Sequence, residues 1–149
     1  MNKIDSFRDE YFFLSNFYAA PVFYDGLLYQ NNEAAFQAQK CIEKKDCEAF
    51  TTMNPSEAKH AGRKVDLRKD WEKVKVSLMA EIVRAKFEQN PELADKLLAT
   101  GENYLEEGNT WGDRIWGTVN GQGANRLGII LMEIREDLKE KRTEEMENL

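Results

Sequence analysis

The chain has 149 residues, 42% hydrophobic and 32% charged, an ordinary globular balance for one domain with one core. Its net charge of −6 excludes general binding to nucleic-acid backbones, where cationic patches supply most of the affinity, yet leaves room for one local phosphate pocket. A single histidine, His60, excludes a histidine-based triad and a multi-histidine metal site, and no apolar run approaches the ~18 residues of a membrane span.

Met1–Phe7 carries charge and lacks the apolar core of a secretory signal, so a cytoplasmic protein is expected. Cys41 and Cys47 match no common zinc or redox spacing and are expected as reduced thiols. The first 30 residues read as β-rich and aromatic. Val22–Tyr24 and Leu27–Tyr29 flank Asp25-Gly26, a hairpin signal because both turn residues tolerate positive φ. Asn31 or Asn32 is a cap for a helix from Glu33 to about Glu43, followed by a short piece over Asp46–Thr52. Asn54-Pro55-Ser56-Glu57 reads as a cap, a proline at the first helical position and a capping-box acid, for a helix ending at Gly62. Asp70–Gln89 carries Trp71, Val74, Leu78, Ile82 and Ala85 at helical spacing. Asn90-Pro91 ends that helix and starts another through Leu98. Asn103–Glu107 and Thr110–Ile115 are expected as short strands joined at Gly108-Asn109. The last helix begins near Asn125 with an apolar face of Leu127, Ile130, Leu131, Ile134 and Leu138. Residues 139–149 form a charged tail that frays or extends as a solvated helix. The expectation is a mainly helical α+β fold over 1–149, a single compact domain with small β-elements near the N-terminus and before the last helix.

Three constellations can carry chemistry. Glu33, Phe36, Gln37 and Lys40 share one helix face, with Glu33 in the first turn where the helix dipole favours an anion. The same pattern also fits a surface Glu, Gln and Lys beside a core Phe36. Glu106-Glu107 precedes Trp111-Gly112-Asp113-Arg114-Ile115-Trp116-Gly117, where a tryptophan face suits stacking on a planar base or simply fills the core. Gly121-Gln122-Gly123-Ala124-Asn125-Arg126 feeds a helix start. It is read as a plain helix entry ahead of a phosphate cradle assisted by Arg126. Lys59, His60 and Arg63 cluster at a helix end. Asn16 is a polar residue inside apolar Phe12–Phe17, so it either pins a loop or faces a ligand.

Phe13-Leu14-Ser15-Asn16-Phe17, Glu33-x-x-Phe36-Gln37-x-x-Lys40, Ala58-Lys59-x-x-Gly62-Arg63, Trp71, Arg84-Ala85-Lys86-Phe87, Trp111-Gly112-Asp113 and Asn125-Arg126-Leu127-Gly128 occur in this order. The set resembles the NADAR superfamily, in particular its YbiA-like N-glycosidases, from about Phe7 to Leu138. The resemblance implies a mainly helical α+β fold without metal or cofactor. It implies hydrolysis of a bond between ribose and nitrogen in phosphorylated ribosylaminopyrimidine intermediates of riboflavin synthesis. Other members act on ADP-ribose attached to guanine, the one setting in which nucleic acid is an expected substrate. The family's glutamate matches Glu33, its lysine Lys40, its tryptophans Trp71 and Trp111, and its aspartate Asp113. Ala34 departs from the histidine many members carry there, and Arg114–Asn120 departs from shorter, glycine-richer relatives.

On this reading Glu33 stabilises an oxocarbenium-like ribose or activates water, and Asp113 supplies the other acid–base role. Lys40 binds phosphate, holds Glu33 ionised or forms a transient imine. Trp71 and Trp111 stack on the leaving base, Asn16, Phe17 and Gln37 line the sugar, and Lys59, Arg63 and Arg126 compete for the phosphate. The rival expectations are a non-catalytic nucleotide or ADP-ribose sensor using the same pocket, and a protein-binding scaffold.

Overall fold

The computed structural model describes residues 2–149, so of the stretch Met1–Phe7 only Met1 lies outside the described residues. The fold is α+β and mainly helical. It divides into two compact units: Ser15–Asn90, and the stretch up to Leu14 together with Pro91–Leu149.

In the unit Ser15–Asn90, strands β1 (Ala19–Tyr24) and β2 (Leu27–Asn31) form an antiparallel hairpin, with Val22 opposite Tyr29 and Tyr24 opposite Leu27. Asp25 and Gly26 both have positive φ (47° and 85°), as the right-handed twist of a two-residue hairpin requires. Helix α1 (Asn32–Ala38) follows at once, capped by Asn31, whose side chain accepts from Ala34 N at 2.7 Å. It is shorter than the sequence suggests, ending near Ala38 rather than Glu43. The chain then turns tightly, with Lys40 N and Cys41 N donating to Gln37 O and Ala38 O. A short helix α2 (Lys44–Cys47) and a 3₁₀ helix (Glu48–Thr52) fill the predicted second piece.

Helix α3 (Pro55–Gly62) has the full reciprocal capping box between Asn54 and Glu57. Helix α4 (Trp71–Gln89) buries Trp71, Met79, Ile82, Val83, Lys86 and Phe87, while Val74, Leu78 and Ala85 are half-exposed. The buried stripe is thus rotated from the expected one, because its ridge is 71–79–82–86 and one of its members is a lysine. Helices α3 and α4 both pack on α1, and α4 also covers the hairpin. Cys41 and Cys47 are free, buried thiols.

In the other unit, β3 (Lys3–Ile4) pairs in parallel with β4 (Tyr104–Leu105), and Asp9–Leu14, inside the first 30 residues read as β-rich, forms a 3₁₀ helix. Helix α5 (Pro91–Ala99) packs on α6 (Arg126–Glu147). Helix α6 buries Leu127, Ile130, Leu131 and Ile134, as its spacing predicts, and runs on through most of the charged tail. Thr110–Ile115 is not a strand. Asn109 holds that segment as a loop, accepting from Asp113 N at 3.0 Å and donating to Asp113 O at 2.8 Å. An asparagine that bonds its own neighbourhood competes with a strand ladder.

Candidate active site

The first of the three constellations assembles within the unit Ser15–Asn90. Glu33 is in the first turn of α1 and only 8% exposed. Its backbone N–H donates to Asn16 O at 3.1 Å, and its Oε1 accepts from Gln37 Nε2 at 3.0 Å. A buried carboxylate needs such donors, and the positive end of the helix adds to them. The bond also orients the Gln37 amide, whose Oε1 is buried without a partner and lies against Gly62. Any Cβ at residue 62 would strike that amide, so glycine there is what lets α3 approach α1.

One turn beyond Gln37, Lys40 extends over the Trp71 ring, with Nζ 5.8 Å from its centroid. Trp71 is 6% exposed and tilts against Phe36 at a centroid distance of 5.1 Å. Its surface is therefore used mainly to carry Lys40 and fill the core, leaving little for a base to stack on. Burial lowers the Lys40 pKa, Glu33 opposes that shift, and Arg63 and Lys75 add to it.

Asn16 pins the loop that leads to this face. Its Oδ1 accepts from Asn32 Nδ2 at 3.3 Å, and its Nδ2 donates to Met79 Sδ at 3.4 Å. Next along, Phe17 lies under Lys59, with Nζ 5.9 Å from the ring centroid. The structure thus brings together Asn16, Phe17, Glu33, Gln37, Lys40, Lys59, Arg63 and Trp71 in one unit.

Trp111, Asp113 and Arg126 belong to the other unit. Trp111 is 56% exposed. Asp113 Oδ1 accepts from Ile115 N at 3.0 Å and Trp116 N at 2.9 Å, so this carboxylate builds its own loop. The glycine-rich entry to α6 is a helix entry. Ala124 N, Asn125 N, Arg126 N and Leu127 N donate to the carbonyls of Arg114, Gly117, Ile115 and Trp116. Those donors are committed to protein oxygen. Asn125, in the left-handed region at φ 50°, fastens the same entry by donating to Leu105 O and accepting from Glu107 N. Glu106 is buried, held by Thr118 and Lys3, and kept below the usual carboxylate range by those bonds. Among the described residues no group of three His, Cys, Asp or Glu side chains is placed to hold a metal ion.

Sequence reasoning missed Lys75, Lys86 and the structural use of Gly62. Lys86 is fully buried, donates to Ser15 O at 3.0 Å, and is flanked by the rings of Tyr18 and Phe87. A signal for it was present, since Lys86 stands four residues after Ile82 and seven after Met79 on the buried ridge.

A family model described as the NADAR domain matches residues 4–139. The chain is 44% identical to N-glycosidase YbiA of Escherichia coli (strain K12), over 89% of this chain and 85% of that one. It is 37% identical to an N-glycosidase of Nostoc punctiforme over 72% of each chain. A riboflavin biosynthesis protein of Vibrio vulnificus is 38% identical over 86% of this chain and 36% of its own length. Among solved structures, the NMR structure of the E. coli protein YbiA superimposes with a TM-score of 0.83 at 42% identity, covering 95% of this chain and 86% of that one.

Proposed function

The chain belongs to the NADAR family and is an N-glycosidase, and from that premise we propose that it hydrolyses the ribose–nitrogen bond of phosphorylated ribosylaminopyrimidine intermediates of riboflavin biosynthesis. The observation that carries the reading is the buried Glu33 carboxylate, aimed by Gln37 and faced by Lys40. The name of the Vibrio vulnificus relative supports the substrate class.

Cleavage of a ribosylamine breaks the C1′–N bond, and its electron pair leaves with nitrogen. Positive charge develops at C1′ and the ring oxygen. A carboxylate fixed beside that charge stabilises it without reorganising, which is the largest kind of contribution a site of this sort makes. Glu33 fills that role and accepts a proton as water adds to C1′. The proton passes on to the leaving nitrogen, so the products are the free aminopyrimidine and ribose 5-phosphate. Attraction between Glu33 and Lys40 favours the charged forms of both, which the mechanism requires of Glu33 at its outset. Gln37 keeps the carboxylate in place, and Asn16 and Phe17 border the sugar.

The test is hydrolysis by the purified protein of 5-amino-6-ribosylamino-pyrimidinedione 5′-phosphate and of ADP-ribosylated guanosine, run in parallel with release of base and sugar followed separately. Cleavage of the first alone is expected. Cleavage of the second alone would move the activity to ADP-ribose, and cleavage of neither would leave a binding role in place of the proposed chemistry.

A further inference from the structure

Lys86 is a titratable side chain that the chemistry above does not use, and it is only 1% exposed. An ammonium leaves water at a high cost, and burial here opposes its charged form. Methionine fills nearly the same volume without that cost, so the packing of α4 does not call for an amine. The reason for one lies in what the nitrogen touches.

Lys86 Nζ donates to Ser15 O at 3.0 Å. The same carbonyl accepts from Tyr18 N at 3.2 Å and so closes a turn with Asn16 and Phe17 at its centre. Ser15 Oγ braces the turn from inside, accepting from Phe17 N at 3.1 Å. The far end is gripped as well, because the Tyr18 ring centroid lies 5.6 Å from Lys86 Nζ. Earlier on the same buried ridge of α4, Met79 Sδ accepts from Asn16 Nδ2 at 3.4 Å. One helix ridge thus holds the start, the middle and the end of the turn. The turn in return holds α1. Asn16 O accepts from Glu33 N at 3.1 Å, and Asn16 Oδ1 accepts from Asn32 Nδ2 at 3.3 Å. Lys86 therefore reaches the backbone of Glu33 through Ser15 and Asn16.

We propose that Lys86 is a positioning residue for the hydrolysis: by clamping the turn from Ser15 to Tyr18 it sets Asn16 and Phe17 against the sugar and fixes the first turn of α1, which presents Glu33. The proposal rests on the reading of this face as a ribosyl site. A charge-assisted bond suits the task, because it holds a carbonyl more firmly than a neutral donor does.

The experiment compares wild type, Lys86→Met, Tyr18→Leu and Lys73→Met, the last an exposed lysine of the same helix. Lys86→Met removes a buried charge, so at pH 7.5 it is expected to melt no lower than wild type. Hydrogen exchange followed by NMR reads the turn without reference to activity. The amides of Tyr18 and Glu33 are expected to exchange about tenfold faster in Lys86→Met, while that of Val83 in α4 keeps its wild-type rate. On 5-amino-6-ribosylamino-pyrimidinedione 5′-phosphate, kcat is expected to fall about tenfold and KM to rise only about twofold, since a displaced Glu33 acts on the reacting centre. Tyr18→Leu, which loosens the clamp from its other end, should lower kcat about threefold. Lys73→Met should match wild type. A lysine that merely supports the fold gives the reverse pattern, a lower Tm with unchanged kcat per folded molecule. That result overturns the proposal, as do unchanged exchange at Tyr18 and Glu33 and a Lys86→Met chain that does not fold. Faster exchange at both amides, with a wild type that leaves this substrate intact, upholds the clamp and refutes the substrate reading.

Discussion

Replacing Gly62 by alanine tests how the Glu33 carboxylate is held. The new methyl group would overlap Gln37 Oε1 and lie 2.8 Å from Gln37 Cδ, against an ordinary contact of 3.4 Å or more. The amide must retreat by about 0.6 Å at its carbon and further at its oxygen. That movement carries Nε2 away from Glu33 and stretches a 3.0 Å bond to the edge of hydrogen-bonding range. Overpacking of this size costs ~1–3 kcal/mol, and a lost hydrogen bond to a charged group ~1.5–3 kcal/mol. The two costs describe alternative relaxations of one site, so a net loss of about 2 kcal/mol is expected, or roughly 4–8 °C in Tm for a chain of this length. The assay is calorimetric melting of Gly62→Ala in two backgrounds, wild type and Gln37→Ala. Shortening residue 37 removes the obstacle, so the penalty should shrink to a few tenths of a kcal/mol in the second background. Hydrolysis should fall with Gly62→Ala because Glu33 loses its aim. An equal penalty in both backgrounds, or a Gly62→Ala protein with unchanged Tm and rate, refutes the reasoning.

Three further outcomes follow from the same geometry. Burial lowers the Lys86 pKa from 10.5 to about 7, so between those values the unfolded chain holds more protons than the folded one and stability rises with pH. Urea midpoints between pH 7 and 9 should climb for wild type, with a slope of up to about 1.4 kcal/mol per pH unit, and lie nearly flat for Lys86→Met; a wild-type midpoint that does not rise contradicts the burial argument. Burial pushes the Cys41 thiol up to about 11 and raises Cys47 as well, so neither should react with a thiol reagent at pH 8 until the chain unfolds. Asp113→Asn keeps an acceptor for Ile115 N and Trp116 N and should melt near wild type, whereas Asp113→Ala should lose about 1–2 kcal/mol; equal losses would show that the charge, not the acceptor, builds the loop.

Much of this was legible in the sequence, because the strongest signals are local. Asp25-Gly26 specifies its turn by backbone sterics, and Asn54 to Glu57 their capping box by hydrogen bonds three residues apart. Glu33, Gln37 and Lys40 share a face by helix periodicity alone, and the structure buries the first two there. Elements that depend on distant partners were not legible. Leu105 pairs with Ile4 across most of the chain, and nothing near Tyr104 indicates a parallel partner rather than a hairpin with Thr110–Ile115. Lys86 stands on the buried ridge of α4, where an apolar pattern passes over a lysine and settles on Val74, Leu78 and Ala85. Its burial follows from tertiary neighbours, Ser15 and Tyr18. The shared surface of Gly62 and Gln37 is likewise visible only once α3 lies on α1.

The most direct test of the central claim is the rate of ribose 5-phosphate release from 5-amino-6-ribosylamino-pyrimidinedione 5′-phosphate by wild type and Glu33→Gln. Glutamine keeps an oxygen for Gln37 Nε2, so the variant should melt close to wild type while its kcat falls by ~10² or more. A folded Glu33→Gln protein that turns over at the wild-type rate would contradict the assignment of the chemistry to this carboxylate.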